Sequence, residues 1–247
     1  MTTDIRLLIL SALATLITLS IHEFSHAYAA HKLGDDTAKY MGRLTINPLK
    51  HLDPIGALCM VFFKFGWAKP VPIDPRHFKN PKRDFAISAL AGPLSNLVTA
   101  FISAFFYLFA YALLKNVAFT NSLSFQIAEN SLYFLYIFHS INVGLAVFNL
   151  IPIPPLDGSR ILNAVLPPRL YFKIMQYERT IYFVLIGWLF FGYMVSDALL
   201  MLPFVSANPA LSFIARLFSL SDILSVVFEF ISELMLDFWG LIPFLKI

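Results

Sequence analysis

Residues 5–30 decide the fold: IRLLILSALATLITLSIHEFSHAYAA is a long apolar run with ionisable side chains near its end. A helix needs about 20 predominantly apolar residues to cross a bilayer, and this run is longer than that. His22, Glu23 and His26 therefore lie in a segment whose composition favours the hydrocarbon core. Ionisable groups are costly there, so these three side chains are functional candidates by default.

The three side chains form the pattern HExxH. On a helix, positions i and i+4 share a face, so both imidazoles can reach one metal ion, with Glu23 beside them. Zinc suits two imidazoles and a carboxylate, and a catalytic zinc keeps one position open for water. A pair of helix histidines that only pack within a bundle is the alternative interpretation.

A third ligand is expected from a proline-rich stretch, FNLIPIPPLDG at 148–158. Its three prolines forbid a regular helix, and irregular backbone at membrane depth must be buried in protein or line a watery cavity. Asp157 then arrives on a constrained turn, followed by the conformationally permissive Gly158. A count of crossings places Asp157 on the same membrane side as His22 and His26. The alternative is that Asp157 only caps a helix.

The composition indicates an all-α polytopic membrane protein. The 247 residues are 58% hydrophobic and 13% charged, about half the charged share of a soluble domain. A single cysteine excludes an intrachain disulfide and a cysteine-type zinc site. We expect about five to six transmembrane helices. Besides 5–30, the apolar runs are 85–114, 132–151, 180–202 and a weaker one at 211–238. The last run either crosses the membrane or lies in its interface.

The polar segment 31–84 is rich in Pro and Gly turn signals. Within its 40–75 loop we expect a small extended or β element, formed by 43–46 and 68–73, and a re-entrant segment at 55–65. An unwound substrate strand could pair with the extended pieces. Segments 31–84 and 157–179 hold 14 of the 18 basic residues, so we expect this side to face the cytoplasm.

The motifs together resemble the site-2 protease family of intramembrane zinc metalloproteases. HEFSH, AGPLSN at 91–96 and the proline-rich LDG element carry the resemblance, and GRLTINPLKHLDPIG at 42–56 and GWAKPVPIDPRHF at 66–78 look like the compact bacterial branch. The resemblance covers roughly residues 15–165. It implies a three-helix catalytic core of about 5–165 and flanking helices of about 175–240, in one membrane-embedded domain spanning 1–247 without an added PDZ-like or nucleotide-binding domain.

The resemblance also implies roles for individual residues. It makes His22, His26 and Asp157 the ligands of one zinc ion, Glu23 the general base, and Asn149 a residue that orients substrate or stabilises the oxyanion. A helix-packing amide is the alternative for Asn149. AGPLSN is expected to pack its helix against the first one, with a direct role for its asparagine less favoured.

The expected function is cleavage of peptide bonds in or near the transmembrane segments of single-span membrane proteins. The expected location is the cell's inner (plasma) membrane, with the active site toward the cytoplasm. The partners are a transmembrane substrate and the lipid bilayer, with no nucleic acid; the oligomeric state stays open. Two alternatives remain: a metal transporter that uses the His and Asp side chains for transit, and a protein that binds membrane helices without proteolysis.

Overall fold

The structure, a computed structural model, describes residues 5–54, 56, 68–119 and 121–246. The first helix, α1, spans Ile5–Leu33. The run holds no proline or glycine, so nothing breaks the helix before Gly34, which adopts a left-handed φ of 111°. The expected re-entrant segment at 55–65 lies outside the described residues except for Gly56.

Two further long helices complete the core. α4 spans Pro81–Leu114 and begins with a proline at its first position, where the missing N–H costs nothing. α5 spans Ser122–Asn149; the Asn121 side chain accepts a hydrogen bond from the Ser124 N–H at 2.7 Å and caps it. It ends before the first of the three prolines, as expected.

The surface of α4 shows which face meets lipid. Its buried positions are mostly small residues, which let membrane helices approach closely. Its exposed positions repeat at helical spacing and are large and apolar: Leu90, Leu94, Val98, Ile102, Phe106, Phe109 and Leu113. A soluble protein rarely exposes such a stripe, so this face is suited to the hydrocarbon of a bilayer.

Among the described residues, three helices, α1, α4 and α5, are long and apolar enough to cross a membrane, judged by length and composition. The number rises to four if the bent pair Pro209–Arg216 and Leu220–Gly240, which meet at 98°, is one span. An all-α membrane protein is confirmed, whereas the expected count of five to six crossings is not.

The remaining helices are short, apart from the last. The bounds are α2 Thr37–Tyr40, α3 Pro48–His51, α6 Asp157–Leu162, α7 Pro168–Met175, α8 Glu178–Gly187, α9 Tyr193–Leu200, α10 Pro203–Ser206, α11 Pro209–Arg216 and α12 Leu220–Gly240. A π-helical segment, Trp188–Gly192, joins α8 to α9 and interrupts the expected run 180–202.

The helix α12 packs lengthwise against α4 and α5. Its Phe228 and Ile231 contact the cluster around Val143 and Val147, and its Trp239 donates a hydrogen bond to the Phe101 carbonyl at 2.9 Å. The carboxylates of Glu229, Glu233 and Asp237 point away from this packed face and are exposed.

The expected strands at 43–46 and 68–73 do not form in the described part of the 40–75 loop, because residues 44–45 bend instead of extending. Within the described part of the chain this loop makes one antiparallel bridge, between Leu52 and Ala68. The buried Arg43 fastens it, donating to the Lys69 carbonyl at 2.5 Å. Asp35, also buried, accepts hydrogen bonds from the N–H groups of Thr37 and Asp74, which ties the end of α1 to the end of this loop.

Candidate metal centre

Three side chains converge in the core, and they are the ones the sequence predicted as ligands. The Nε2 atoms of His22 and His26 each lie 3.1 Å from the Asp157 Oδ2 and 3.0 Å from each other. All three residues are buried. Among the described residues, this is the one group of His, Cys, Asp or Glu side chains close enough together to share a metal ion.

The arrangement fits a small divalent cation. Ligand atoms placed about 2.0–2.1 Å from a tetrahedral zinc ion lie roughly 3.3 Å apart, close to the separations observed here. The His26 Nδ1 lies 2.7 Å from the Ser88 carbonyl oxygen, which can only accept, so the His26 proton sits on Nδ1 and the Nε2 lone pair faces inward. The His26 lone pair and the Asp157 carboxylate oxygen face each other in a buried site and repel, so a cation between them would stabilise the arrangement.

Helix α4 forms the wall behind the two imidazoles. Ser88, Gly92 and Asn96 are spaced by four residues and share one buried face. A β-carbon at Gly92 would collide with both rings, so glycine is required for this close approach. The expectation that AGPLSN packs against the first helix is therefore confirmed.

Asp157 reaches the site from the first turn of the short helix α6, which begins at Asp157 itself. The expected reason for Gly158, a permissive turn conformation, is wrong because its φ is not left-handed. Its actual role is steric: a β-carbon there would collide with the carbonyl oxygens of Leu150 and Ile151. Gly158 thus lets the proline-rich turn fold back tightly enough to aim Asp157 at the two imidazoles.

Glu23 lies beside the converging ligands and is buried. Its Oε2 accepts a hydrogen bond from the backbone N–H of Val71 at 2.8 Å. This hydrogen bond joins residues that are far apart in the chain, so no local sequence pattern could have predicted it.

Two cavities meet at Glu23. The first, of about 130 Å³, is lined mainly by polar groups, namely His22, Glu23, His26, Asn149, Asp157 and Arg160. The second, of about 220 Å³, is mostly apolar and is walled by α5 and α8, with Leu145, Phe148, Tyr182, Leu185, Ile186 and Leu189 among its lining residues. His22, Glu23 and Asn149 border both, so a polar and an apolar chamber flank the same carboxylate.

Asn149 and Arg160 lie at the edge of the site. The Asn149 Nδ2 donates to the Leu145 carbonyl at 3.0 Å, which uses one of its two N–H groups. The Arg160 Nη1 lies 3.9 Å from the Asp157 Oδ1. Arg160 was not among the predicted site residues, although its place one helical turn after Asp157 was a signal that could have identified it.

Several other polar residues prove to be structural. His139 bridges three helices, contacting the Ala100 carbonyl at 3.0 Å and the Ser232 hydroxyl at 2.8 Å. Asn142 donates to the Thr18 hydroxyl at 2.9 Å and so links α5 to α1. These contacts are of the kind that holds membrane helices together.

The fold and the site together define a membrane protein with a buried His, His, Asp centre and an adjacent glutamate. The model of peptidase family M50 matches residues 10–191. The chain therefore belongs to peptidase family M50, which confirms the resemblance to the site-2 protease family of intramembrane zinc metalloproteases.

Two curated relatives carry names that designate zinc metalloproteases. YwhC of Bacillus subtilis (strain 168) is 42% identical over 165 residues, which cover 66% of this chain and 72% of YwhC. Rip2 of Mycolicibacterium smegmatis (strain ATCC 700084 / mc(2)155) is 31% identical over 163 residues, which cover 62% of this chain and 56% of Rip2. No solved structure matches the chain.

Proposed function

We propose that the chain holds one zinc ion with His22, His26 and Asp157 and hydrolyses peptide bonds in the transmembrane segments of single-span membrane proteins. The observation that carries the proposal is the convergence of three buried ligand atoms within 3.1 Å of one another, directly beside Glu23. Membership of a membrane peptidase family supplies the reaction class, and the names of both relatives point to zinc.

The chemistry divides between the metal and the side chains. Zinc, when bound, supplies Lewis acidity that makes a water molecule acidic near neutral pH and polarises a peptide carbonyl. Glu23 accepts the proton of the attacking water and later delivers it to the leaving amine. The Val71 N–H holds one Glu23 oxygen and so helps to fix the carboxylate beside the ligands. The second Asn149 N–H is available to the developing oxyanion.

The flanking cavities indicate how a membrane substrate is received. A helix hides its carbonyls in internal hydrogen bonds, so the cleaved segment must unwind. The apolar cavity between α5 and α8 suits a side chain of the unwound segment, and the polar cavity suits the attacking water. Both cavities border Glu23, so one unwound peptide bond can reach the carboxylate.

Pairing of the substrate with the 68–73 segment is more restricted than the sequence suggested. Pro70 and Pro72 have no N–H, and the N–H groups of Lys69 and Val71 are taken by the His51 carbonyl and by Glu23. Over residues 69–72, a substrate strand therefore has to donate its own N–H groups to the segment's carbonyls.

The orientation proposed from the sequence is that the site faces the cytoplasmic side of the plasma membrane. The site lies at the end of α1, the beginning of α4 and the end of α5. The described parts of the basic segments 31–84 and 157–179 flank this end of the bundle, and basic segments favour the cytoplasm.

The test compares the wild type with Glu23→Gln in the purified, lipid-reconstituted protein. The probe is a single-span reporter whose apolar segment contains central Gly and Asn residues, which ease unwinding. We expect about one zinc per chain in both proteins, and loss of reporter cleavage by roughly 10²–10⁴-fold in the variant. Equal cleavage by both proteins would overturn the role of Glu23.

The same experiment addresses the metal-transporter alternative, which the family membership does not favour. Zinc movement into sealed vesicles would be followed beside reporter cleavage. Transport by both proteins, without cleavage by either, would replace the proposal with that alternative.

A further inference from the structure

The side chain of Asn96 touches a proposed metal ligand from behind. Asn96 is completely buried, and its amide nitrogen Nδ2 lies 3.1 Å from the His22 Nδ1. Its amide oxygen Oδ1 is also buried and has no hydrogen-bond partner. A buried amide oxygen without a partner costs free energy comparable to a lost hydrogen bond, so this orientation needs an explanation.

The orientation of this amide decides whether His22 can bind a metal. A neutral imidazole has one N–H and one lone pair. If Nδ2 donates to the His22 Nδ1, the ring proton sits on Nε2, and Nε2 then has no lone pair for an ion. If the amide turns by half a revolution, Oδ1 accepts from an Nδ1–H, the Nε2 lone pair faces Asp157, and the orphaned oxygen gains its partner.

We propose that Asn96 is the positioning residue that selects the metal-binding tautomer of His22, with its amide oxygen accepting a hydrogen bond from the Nδ1–H when the ion is bound. This rests on the proposed function, because it takes His22 as a zinc ligand. It gives His22 what the Ser88 carbonyl gives His26: an acceptor on the outer nitrogen. Such partners of metal-bound histidines typically change metal affinity by about 10–100-fold.

A second buried asparagine provides the matched control. Asn142 is also completely buried, and its Oδ1 also has no partner. Its Nδ2, however, donates to the Thr18 hydroxyl and the Phe138 carbonyl, and neither residue belongs to the metal centre. Replacing Asn142 therefore reports the cost of losing a buried interhelical amide without touching His22.

The experiment measures zinc affinity in the purified full chain by competition with a chromophoric chelator. Asn96→Leu keeps the shape but has no acceptor, and we expect its zinc affinity to fall by about 10–100-fold. Asn96→Asp keeps an acceptor oxygen, and we expect it to bind zinc about as tightly as the wild type. Asn142→Leu should also bind zinc with wild-type affinity. Cobalt substituted for zinc should show an altered visible spectrum in Asn96→Leu alone.

The possible outcomes distinguish failure of the inference about Asn96 from failure of the proposed zinc site. If the wild type binds no zinc, or His22→Ala binds it unchanged, the proposed ligand set fails. If His22→Ala abolishes binding but Asn96→Leu binds zinc normally, only the inference about Asn96 is overturned. It is also overturned if Asn96→Asp loses zinc as severely as Asn96→Leu, because an acceptor at this position would then not be what matters.

Discussion

The carboxylate of Glu23 is held by the backbone of Val71: the Val71 N–H donates to Glu23 Oε2 at 2.8 Å. Val71 lies between two prolines, so its N–H is the one backbone donor in residues 70–72. Arg43 holds the residue before this Pro-Val-Pro stretch in place, because it donates a hydrogen bond to the Lys69 carbonyl at 2.5 Å. The loop segment 69–71 and the candidate general base Glu23 therefore hold each other in place, although Glu23 and Val71 are 48 positions apart in the sequence.

Replacing Val71 with proline tests this relationship. Proline keeps the extended backbone but has no N–H, so Glu23 loses its donor and becomes free to leave the ligands. We expect reporter cleavage to fall by about 10-fold or more, because a misplaced catalytic group can cost up to about 10²-fold. Zinc content should stay at one per chain. Cleavage and zinc stoichiometry, measured on the same preparation, check the prediction.

The matched control is Val71→Ala, which trims the side chain and retains the N–H. It should cleave the reporter much as the wild type does. If Val71→Ala is as impaired as Val71→Pro, then packing of the side chain rather than the hydrogen bond supports Glu23.

Gly92 sets how closely α4 approaches the two imidazoles. A β-carbon there would collide with the rings of His22 and His26, so Gly92→Ala should push the ligand nitrogens apart and weaken zinc binding by about 10-fold or more. Gly144→Ala is the control, because Gly144 lies in α5 with open space around its missing β-carbon. Zinc competition should therefore separate the two variants, and normal zinc affinity in Gly92→Ala would contradict the geometry.

The Asp35 carboxylate predicts a loss of stability in acid. Burial alone would raise the pKa of Asp35, but hydrogen bonds from Thr37, His77 and the Asp74 N–H outweigh burial and hold the pKa below its usual value. The fold thus favours the ionised form. Its contribution is present above the unfolded pKa of about 3.9 and is lost as the pH falls through the lower folded value.

The measurement is the unfolding temperature of the wild type and Asp35→Asn between about pH 6 and pH 3, across the unfolded pKa of Asp. Asp35→Asn should unfold at a lower temperature at pH 6, and the gap should narrow as the pH falls. A gap that stays constant over this range would show that the charge of Asp35 contributes nothing.

That His22, His26 and Asp157 come together could be predicted from the sequence, for physical reasons. HExxH places His22 and His26 on one helix face, and three prolines fix where α5 ends. Asp157 followed from counting crossings, since the ends of α1 and α5 had to meet on one side. Each of these inferences uses local periodicity or a covalent restriction, which sequence expresses directly.

The parts that sequence missed depend on long-range packing. Neither the Val71 contact to Glu23 nor the Asn96 contact to His22 follows from periodicity, because each joins segments whose relative position is set by the whole bundle. The π-helical segment Trp188–Gly192 and the 98° bend before α12 are tertiary features for the same reason. The expected count of five to six crossings rested on hydropathy alone, and it is not confirmed.

The apolar cavity beside Glu23 predicts a site for a substrate side chain. Ile186 lines this cavity of about 220 Å³ from α8, and it is half-buried, so Ile186→Trp should fill the space without breaking the core. We expect cleavage to fall most for reporters with Phe or Leu at the cleaved position and least for those with Ala, while zinc content stays unchanged. Val184→Trp is the control, because Val184 lies on the same helix but is 65% exposed and away from the cavity. A tryptophan at 186 that slows all reporters equally would show that the cavity does not receive the substrate side chain.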